Sequence, residues 1–223
     1  MISKEKISDS YIRVSASNLN CILIDNKYLL SLNRSSLDSG EKIYSAIGGA
    51  TKYDENAKSF LESIGTDFEG DNDLRFRLQK KDLGSFVSWY SSGINRELSP
   101  FRELREELVD EEKIFPSLKS YDFSYLKLGI DQSISKSHRK EKIGELTYRI
   151  ADIFLTVFRP ELEKKIYQNI NQKETPLILT TSDEIQNIMT NSKIPIADNC
   201  RAFIKFDLEE LNLKKNMLLK YLK

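Results

Sequence analysis

Acidic side chains crowd one short segment of the chain, residues 102–110, which reads Arg-Glu-Leu-Arg-Glu-Glu-Leu-Val-Asp. At about 100° per residue, an α-helix here gathers most of them on one face: Glu103, Glu106, Glu107 and, beside them, Asp110. Leu104 and Leu108 fall on another side that can pack against a sheet. Like charges this close repel, and a hard cation such as Mg²⁺ or Mn²⁺, bound through carboxylate oxygens, would relieve the repulsion. The blander interpretation is a solvated helix with an ordinary Arg102–Glu106 pair, which stabilises a helix by only about 0.3 kcal/mol.

The remaining composition limits the other chemistry that the chain can perform. Its 34 Lys+Arg balance 34 Asp+Glu, so there is no global basic field of the kind that an extended nucleic-acid surface needs. The one histidine, His138, lies in a polar run, and Cys21 and Cys200 match no zinc or redox spacing. Catalysis is therefore expected to use carboxylates. The cysteine usage and the lack of a signal peptide or a long apolar run predict a reduced, cytoplasmic protein without a membrane partner.

Strand and helix patterns alternate along the chain and predict one mixed α/β domain over 1–223. The predicted strands are a hairpin over 21–32 that turns at Asp25-Asn26-Lys27, then 43–47 before a Gly48-Gly49 turn, 74–78, 121–130, 146–158 and 178–180. The predicted helices are 55–64, 80–91, a helix from a Ser99 cap and Pro100 to about Glu112, one from Ser182, and a C-terminal helix over about 207–222. Residues 67–73 and 136–142 are predicted loops.

The acidic segment resembles the second half of the Nudix hydrolase box, G-x5-E-x7-R-E-U-x-E-E-x-G-U, where U is apolar. It matches at Arg102, Glu103, Leu104, Glu106 and Glu107, while the first half resembles the segment from Gly49 to Glu55. An inserted segment at about 56–98 separates the halves. Val109 and Asp110 replace the closing glycine and the last apolar position. The resemblance implies a Nudix-like α/β/α sandwich with a mixed sheet.

Three motifs of the insertion narrow the resemblance to the SMODS-associated Nudix domains of bacteria. They are Asp-Leu-Arg-Phe-Arg-Leu at 73–78, Phe-Val-Ser-Trp-Tyr at 86–90 and Arg-Glu-Leu-Ser-Pro-Phe-Arg-Glu at 96–103. Members of that group resemble partners of nucleotide second-messenger synthases in anti-phage defence. Within these motifs Trp89 and Tyr90 could stack a base, but core packing is the favoured interpretation because large aromatics are usually buried.

The resemblance implies a role for each matching residue in a Mg²⁺- or Mn²⁺-dependent hydrolase that cleaves a diphosphate linkage in a nucleotide. The implied metal ligands are Glu103, Glu106, Glu107 and the Gly49 carbonyl; Arg102 and Glu55 are supporting residues, and Glu141 or Glu145 is a further acidic ligand. One of the three helical glutamates would orient or deprotonate the attacking water. The alternative is a catalytically degenerate Nudix domain that acts as a nucleotide sensor or a protein-interaction module. The pattern predicts no substrate-binding residue, and a homodimer stays open.

Overall fold

The computed structural model describes residues 10–37, 40–70, 72–137, 142–172 and 175–222, which divide into two compact units. Unit 1 comprises the described residues of 1–18, 49–99 and 130–152. Unit 2 comprises those of 19–48, 100–129 and 153–223. The predicted inserted segment, 56–98, falls entirely within unit 1. The single-domain prediction for 1–223 stays a prediction.

Strands and helices alternate along the described chain, and the predicted α/β class with a mixed sheet is confirmed. The strands are β1 (Tyr11–Ile24), β2 (Lys27–Leu32), β3 (Tyr44–Ser45), β4 (Ile47–Ala50), β5 (Asp67–Phe68), β6 (Arg75–Gln79), β7 (Phe123–Lys136), β8 (Leu146–Phe158) and β9 (Leu177–Thr180). The α-helices are α1 (Arg34–Leu37), α2 (Lys58–Ser63), α3 (Leu83–Ser92), α4 (Phe101–Arg105), α5 (Pro160–Ile170), α6 (Ser182–Gln186) and α7 (Leu208–Leu219). A π-helical segment, Glu106–Glu111, continues α4. Among the described residues, no helix combines the length and the apolar character that a bilayer span requires.

Unit 1 is built on the first half of β1, which pairs antiparallel with β6 from Tyr11↔Gln79 to Ser15↔Arg75. Alternate residues of each strand face the apolar side, as the two-residue period of a strand requires. They form an aromatic-rich core with α2 and α3: Ile12, Val14, Ala16, Leu61, Leu74, Phe76, Leu78, Phe86 and Tyr90. Trp89 packs against this core and Tyr90 is fully buried, so the core interpretation of the Trp-Tyr pair holds.

Unit 2 is built on the β1–β2 hairpin, which the sequence predicted. Asp25 and Asn26 have φ values of 48° and 60°, the left-handed pair of a type I′ turn, and Ile24 pairs with Lys27 across it. Strand β2 also pairs antiparallel with β3 and β9. The apolar face of this sheet packs on α4, its π-helical continuation and α5. The buried members of that core include Ile22, Ile24, Leu29, Ile47, Leu104, Leu108, Phe115, Phe158 and Ile166.

Several local predictions were wrong in ways that local physics explains. The Gly48-Gly49 pair lies inside β4 rather than at a tight turn, and β5 occupies part of the predicted 67–73 loop. Ser99 does not cap α4, because Pro100 takes the N-cap position and no side chain supplies a capping bond. Pro160 ends β8 but also opens α5, since proline suits the first turn of a helix, where its missing N–H is no loss.

Candidate active site

The glutamate helix of unit 2 is not a regular α-helix along its whole length. Its first turn, Phe101–Arg105, is α-helical, and Glu106–Glu111 is a π-helix. The amide of Glu112 donates to the carbonyl of Glu107, the i→i−5 bond that defines the wider turn. Leu104 and Leu108 are fully buried and anchor the helix in the core of unit 2.

Glu107 is held by two hydrogen bonds from strands of unit 2. The Ser31 hydroxyl donates to its Oε2 at 2.8 Å, and the Gly48 amide donates to its Oε1 at 2.6 Å. Burial raises the pKa of Glu107 to about 8 against the lowering effect of these two bonds, and the charges of Glu103 and Glu111 raise it further. The carboxyl group is thus held in a fixed place and, in the metal-free protein, retains its proton near neutral pH.

Arg102 contacts Glu103 and Glu106, the other two glutamates in the helical half of the box. Its Nη2 lies 2.5 Å from Oε1 of Glu103, and its Nη1 donates to Oε2 of Glu106 at 2.9 Å. Glu103 is 4% exposed, whereas the side chain of Glu106 is 44% exposed. The i,i+4 pair expected from the bland interpretation is therefore present, but the same guanidinium also holds a buried carboxylate.

Glu111 is a residue that the family pattern missed. Its negative charge contributes to the raised pKa of Glu107, although the box ends before it. Arg34 pairs with Glu111 at 3.1 Å and with Glu112 at 3.2 Å, at the surface end of the same helix. The signal in the sequence was a second acidic group at 110–112, which follows the glutamates of the box after Leu108 and Val109. Glu111 lies four residues after Glu107, so a single helical turn brings it into electrostatic range of Glu107.

The carboxylates of the glutamate helix suit a hard divalent cation by their chemistry, but their side chains do not converge on one point. Carboxylate oxygens are the ligands that Mg²⁺ and Mn²⁺ prefer, and the charge of Glu103 opposes the ionisation of Glu107. Among the described residues, however, no three carboxylate, thiol or imidazole groups converge on one point where an ion could sit.

The remaining predicted site residues belong to unit 1 or lie outside the described residues. Gly49 lies in β4, and Glu55 begins a short 3-10 helix, where it pairs with Lys58 at 3.2 Å. Glu145 forms a bidentate ion pair with Arg77, whose Nε and Nη2 donate to Oε1 and Oε2 at 2.5 and 2.9 Å. This candidate ligand therefore has an ion-pair partner in its own unit. Glu141, the other candidate, lies outside the described residues, as does His138.

A second polar cluster, within unit 1, joins Arg96 to Asp152. Both side chains are completely buried, and Nη1 of Arg96 donates to Oδ2 of Asp152 at 2.7 Å. The guanidinium also donates to the Tyr90 carbonyl at 2.7 Å and lies 3.8 Å from the centre of the Tyr90 ring. The motif that begins at Arg96 in the sequence therefore fixes the end of α3 from the inside.

A mixed α/β fold that carries an Arg-Glu-x-x-Glu-Glu helix packed on its sheet defines a protein of the Nudix class. The family described as "SMODS-associated NUDIX domain" matches residues 11–204 of the chain, and the chain belongs to that family. Neither the curated proteins nor the solved structures gave a significant match. Family membership supports a nucleotide-derived ligand and a hydrolase of the general Nudix kind.

Proposed function

We propose that the chain is a Mg²⁺-dependent hydrolase that cleaves a diphosphate linkage in a nucleotide or a nucleoside-diphosphate derivative. Family membership supports the reaction class. The observation that carries the proposal is Glu107, an enclosed carboxyl group that two donors hold while two neighbouring carboxylates oppose its ionisation. A divalent cation would replace the proton and neutralise that repulsion.

Each glutamate of the box has a distinct place in this proposal. Glu103, Glu106 and Glu107, with the Gly49 carbonyl, would hold Mg²⁺ or Mn²⁺, and Glu55 is a supporting residue. The bound ion would polarise the phosphoryl oxygens and make water a stronger acid. Both carboxylate oxygens of Glu107 already accept hydrogen bonds, so Glu103 is the better group to take the proton of the attacking water. Arg102 restrains Glu103 and Glu106 until the ion arrives.

Turnover measurements on a panel of nucleotides test the proposal. The panel contains ADP-ribose, a dinucleotide, a nucleoside triphosphate and linear products of cyclic oligonucleotides, each with Mg²⁺ or with a chelator. We expect Mg²⁺-dependent product release that falls at least about 100-fold in Glu107→Gln and Glu103→Gln. Glu209→Gln, an exposed glutamate on α7, is the matched control and should retain full activity. No Mg²⁺-dependent turnover of any compound, or full activity in Glu107→Gln, would reject the proposal.

A nucleotide sensor without turnover is the second candidate, because no three ligand groups converge among the described residues and Glu106 is engaged by Arg102. Val109 in place of the box glycine also favours it. Calorimetric binding of a nucleotide that is recovered intact would support this function. A protein-interaction module would instead show no thermal shift with either nucleotide or metal.

The proposed setting is anti-phage nucleotide signalling in the cytoplasm, as the resemblance to SMODS-associated domains implies. Cys21 and Cys200 are buried free thiols, which a reducing compartment preserves. Phage challenge of cells that carry the wild type or Glu107→Gln tests the setting, and equal survival would count against it. A homodimer stays a prediction that light scattering can test.

A further inference from the structure

Ser31 is a buried polar residue among the apolar residues of strand β2. Strand β2 reads Lys-Tyr-Leu-Leu-Ser-Leu, and Ser31 is 2% exposed. Its backbone lies in the ladder between β3 and β9, opposite Ser45 on one side and Leu177 on the other. A hydroxyl buried without a partner costs about 1–3 kcal/mol, so its presence here calls for a specific acceptor.

The acceptor is Glu107, 76 residues further along the chain. Ser31 points to the same face of β2 as Leu29, since residues two apart share a face of a strand. Leu29 packs in the core of unit 2 with Leu104 and Leu108 of the glutamate helix. The register of the strand therefore aims the hydroxyl at the turn that carries Glu107.

Gly48 supplies the second donor from β4, and its backbone has φ +152°, a value that L side chains rarely adopt. The two donors approach different oxygens of the carboxylate, Oε2 and Oε1. A carboxylate has about four lone-pair positions, so one on each oxygen remains for a cation. Donors of this kind fix the direction in which a ligating carboxylate faces.

We propose that Ser31 is a positioning residue that holds the Glu107 carboxylate ready for a divalent cation, with the Gly48 amide as its counterpart. This inference rests on the proposed function, because it assumes that Glu107 is a metal ligand. Ser31 itself touches neither the ion nor the substrate. Its hydroxyl removes the freedom of the Glu107 side chain before the ion binds.

The dissociation constant of Mn²⁺, measured by the electron paramagnetic resonance signal of the free ion, tests the inference. We expect Ser31→Ala to weaken binding about 10-fold, the lower end of the effect of such supporting residues. Ser31→Thr, which keeps a hydroxyl and suits a strand, should bind within about 3-fold of the wild type. Ser45→Ala is the matched control, a buried serine directly across the ladder, and should bind as the wild type does.

The outcomes separate this inference from the proposed function. If the wild type binds Mn²⁺ and Ser31→Ala binds it equally well, the positioning role is overturned and the proposed function survives. If neither the wild type nor Glu107→Gln binds Mn²⁺, the positioning role and the proposed function are both overturned. Should Ser31→Ala not fold, Ser31→Cys preserves the volume with a weaker donor, and wild-type affinity in that variant overturns the positioning role.

Discussion

Glu107→Gln should change how the free energy of unfolding depends on pH in the metal-free protein. The folded-state pKa of about 8 lies above the ordinary value of 4.5, so the native state binds the Glu107 proton more tightly than the unfolded state. The free energy of unfolding therefore falls as pH rises between these values and levels off above the higher one. Glutamine imitates the protonated acid: its carbonyl can accept from Gly48 and its amide can donate to Ser31.

The magnitude follows from the size of the pKa shift. From 4.5 to about 8, at about 1.36 kcal/mol per pKa unit, the upper limit is about 5 kcal/mol. Glu107 as a whole residue is partly accessible, and relaxation around an ionised carboxylate lowers the penalty, so about 2–4 kcal/mol is expected. Glu107→Gln should thus gain stability relative to the wild type by this amount between about pH 5 and about pH 9.

Urea unfolding of both proteins across this pH range, with a chelator present, measures the difference directly. Groups that titrate equally in the two proteins cancel in the subtraction. Glu106→Gln is the neighbouring control, and its exposed pair with Arg102 limits the expected change to about 1 kcal/mol. A constant difference between wild type and Glu107→Gln over the whole range would refute the reasoning, since the carboxyl group would then ionise alike in both states.

Substitutions at three further positions test separate parts of the structure. Asp152→Ala should cost about 3–5 kcal/mol in urea unfolding, because it leaves the charge of Arg96 buried without its partner, and Asp152→Asn should cost less. Thr181→Ala should cost about 1 kcal/mol in the same measurement by removing the capping bond at the start of α6. Gly48→Ala should cost about 1–3 kcal/mol because its φ is strained for alanine, and it should also weaken Mn²⁺ binding to Glu107.

Elements whose pattern is local were predictable from the sequence. The strand over 146–158 has the predicted bounds because β-branched and aromatic residues fill it and Pro160 follows it. The first half of β1 was missed because Arg13 and Asn18 are buried in it, and a strand with buried polar residues lacks a simple apolar run. Their partners are distant in sequence: Arg13 pairs with Glu69 through two bonds of 2.8 Å.

The candidate site was predictable only as far as the family pattern reaches. The pattern identifies the glutamates of the helix, but Ser31 and Gly48 meet Glu107 through tertiary contacts, and Glu111 lies beyond the end of the pattern. The π-helical turn has no local signature in the sequence from 106 to 111. Glu111 was left out because the family pattern ends at Asp110.

The energetics of Glu107 argue that the helix has a role beyond packing. A glutamine at this position could accept from Gly48 and donate to Ser31 without the penalty of ionisation, so Glu107 lowers the stability of the metal-free protein above its pKa. A residue that destabilises the free protein while two donors fix it in place is typical of a functional site, where local stability is lower than the fold could provide. A cation that replaces the proton would reverse the sign of the contribution. Metal binding should then stabilise the wild type more strongly as pH rises through about 8. Glu107→Gln should lack this pH-dependent stabilisation.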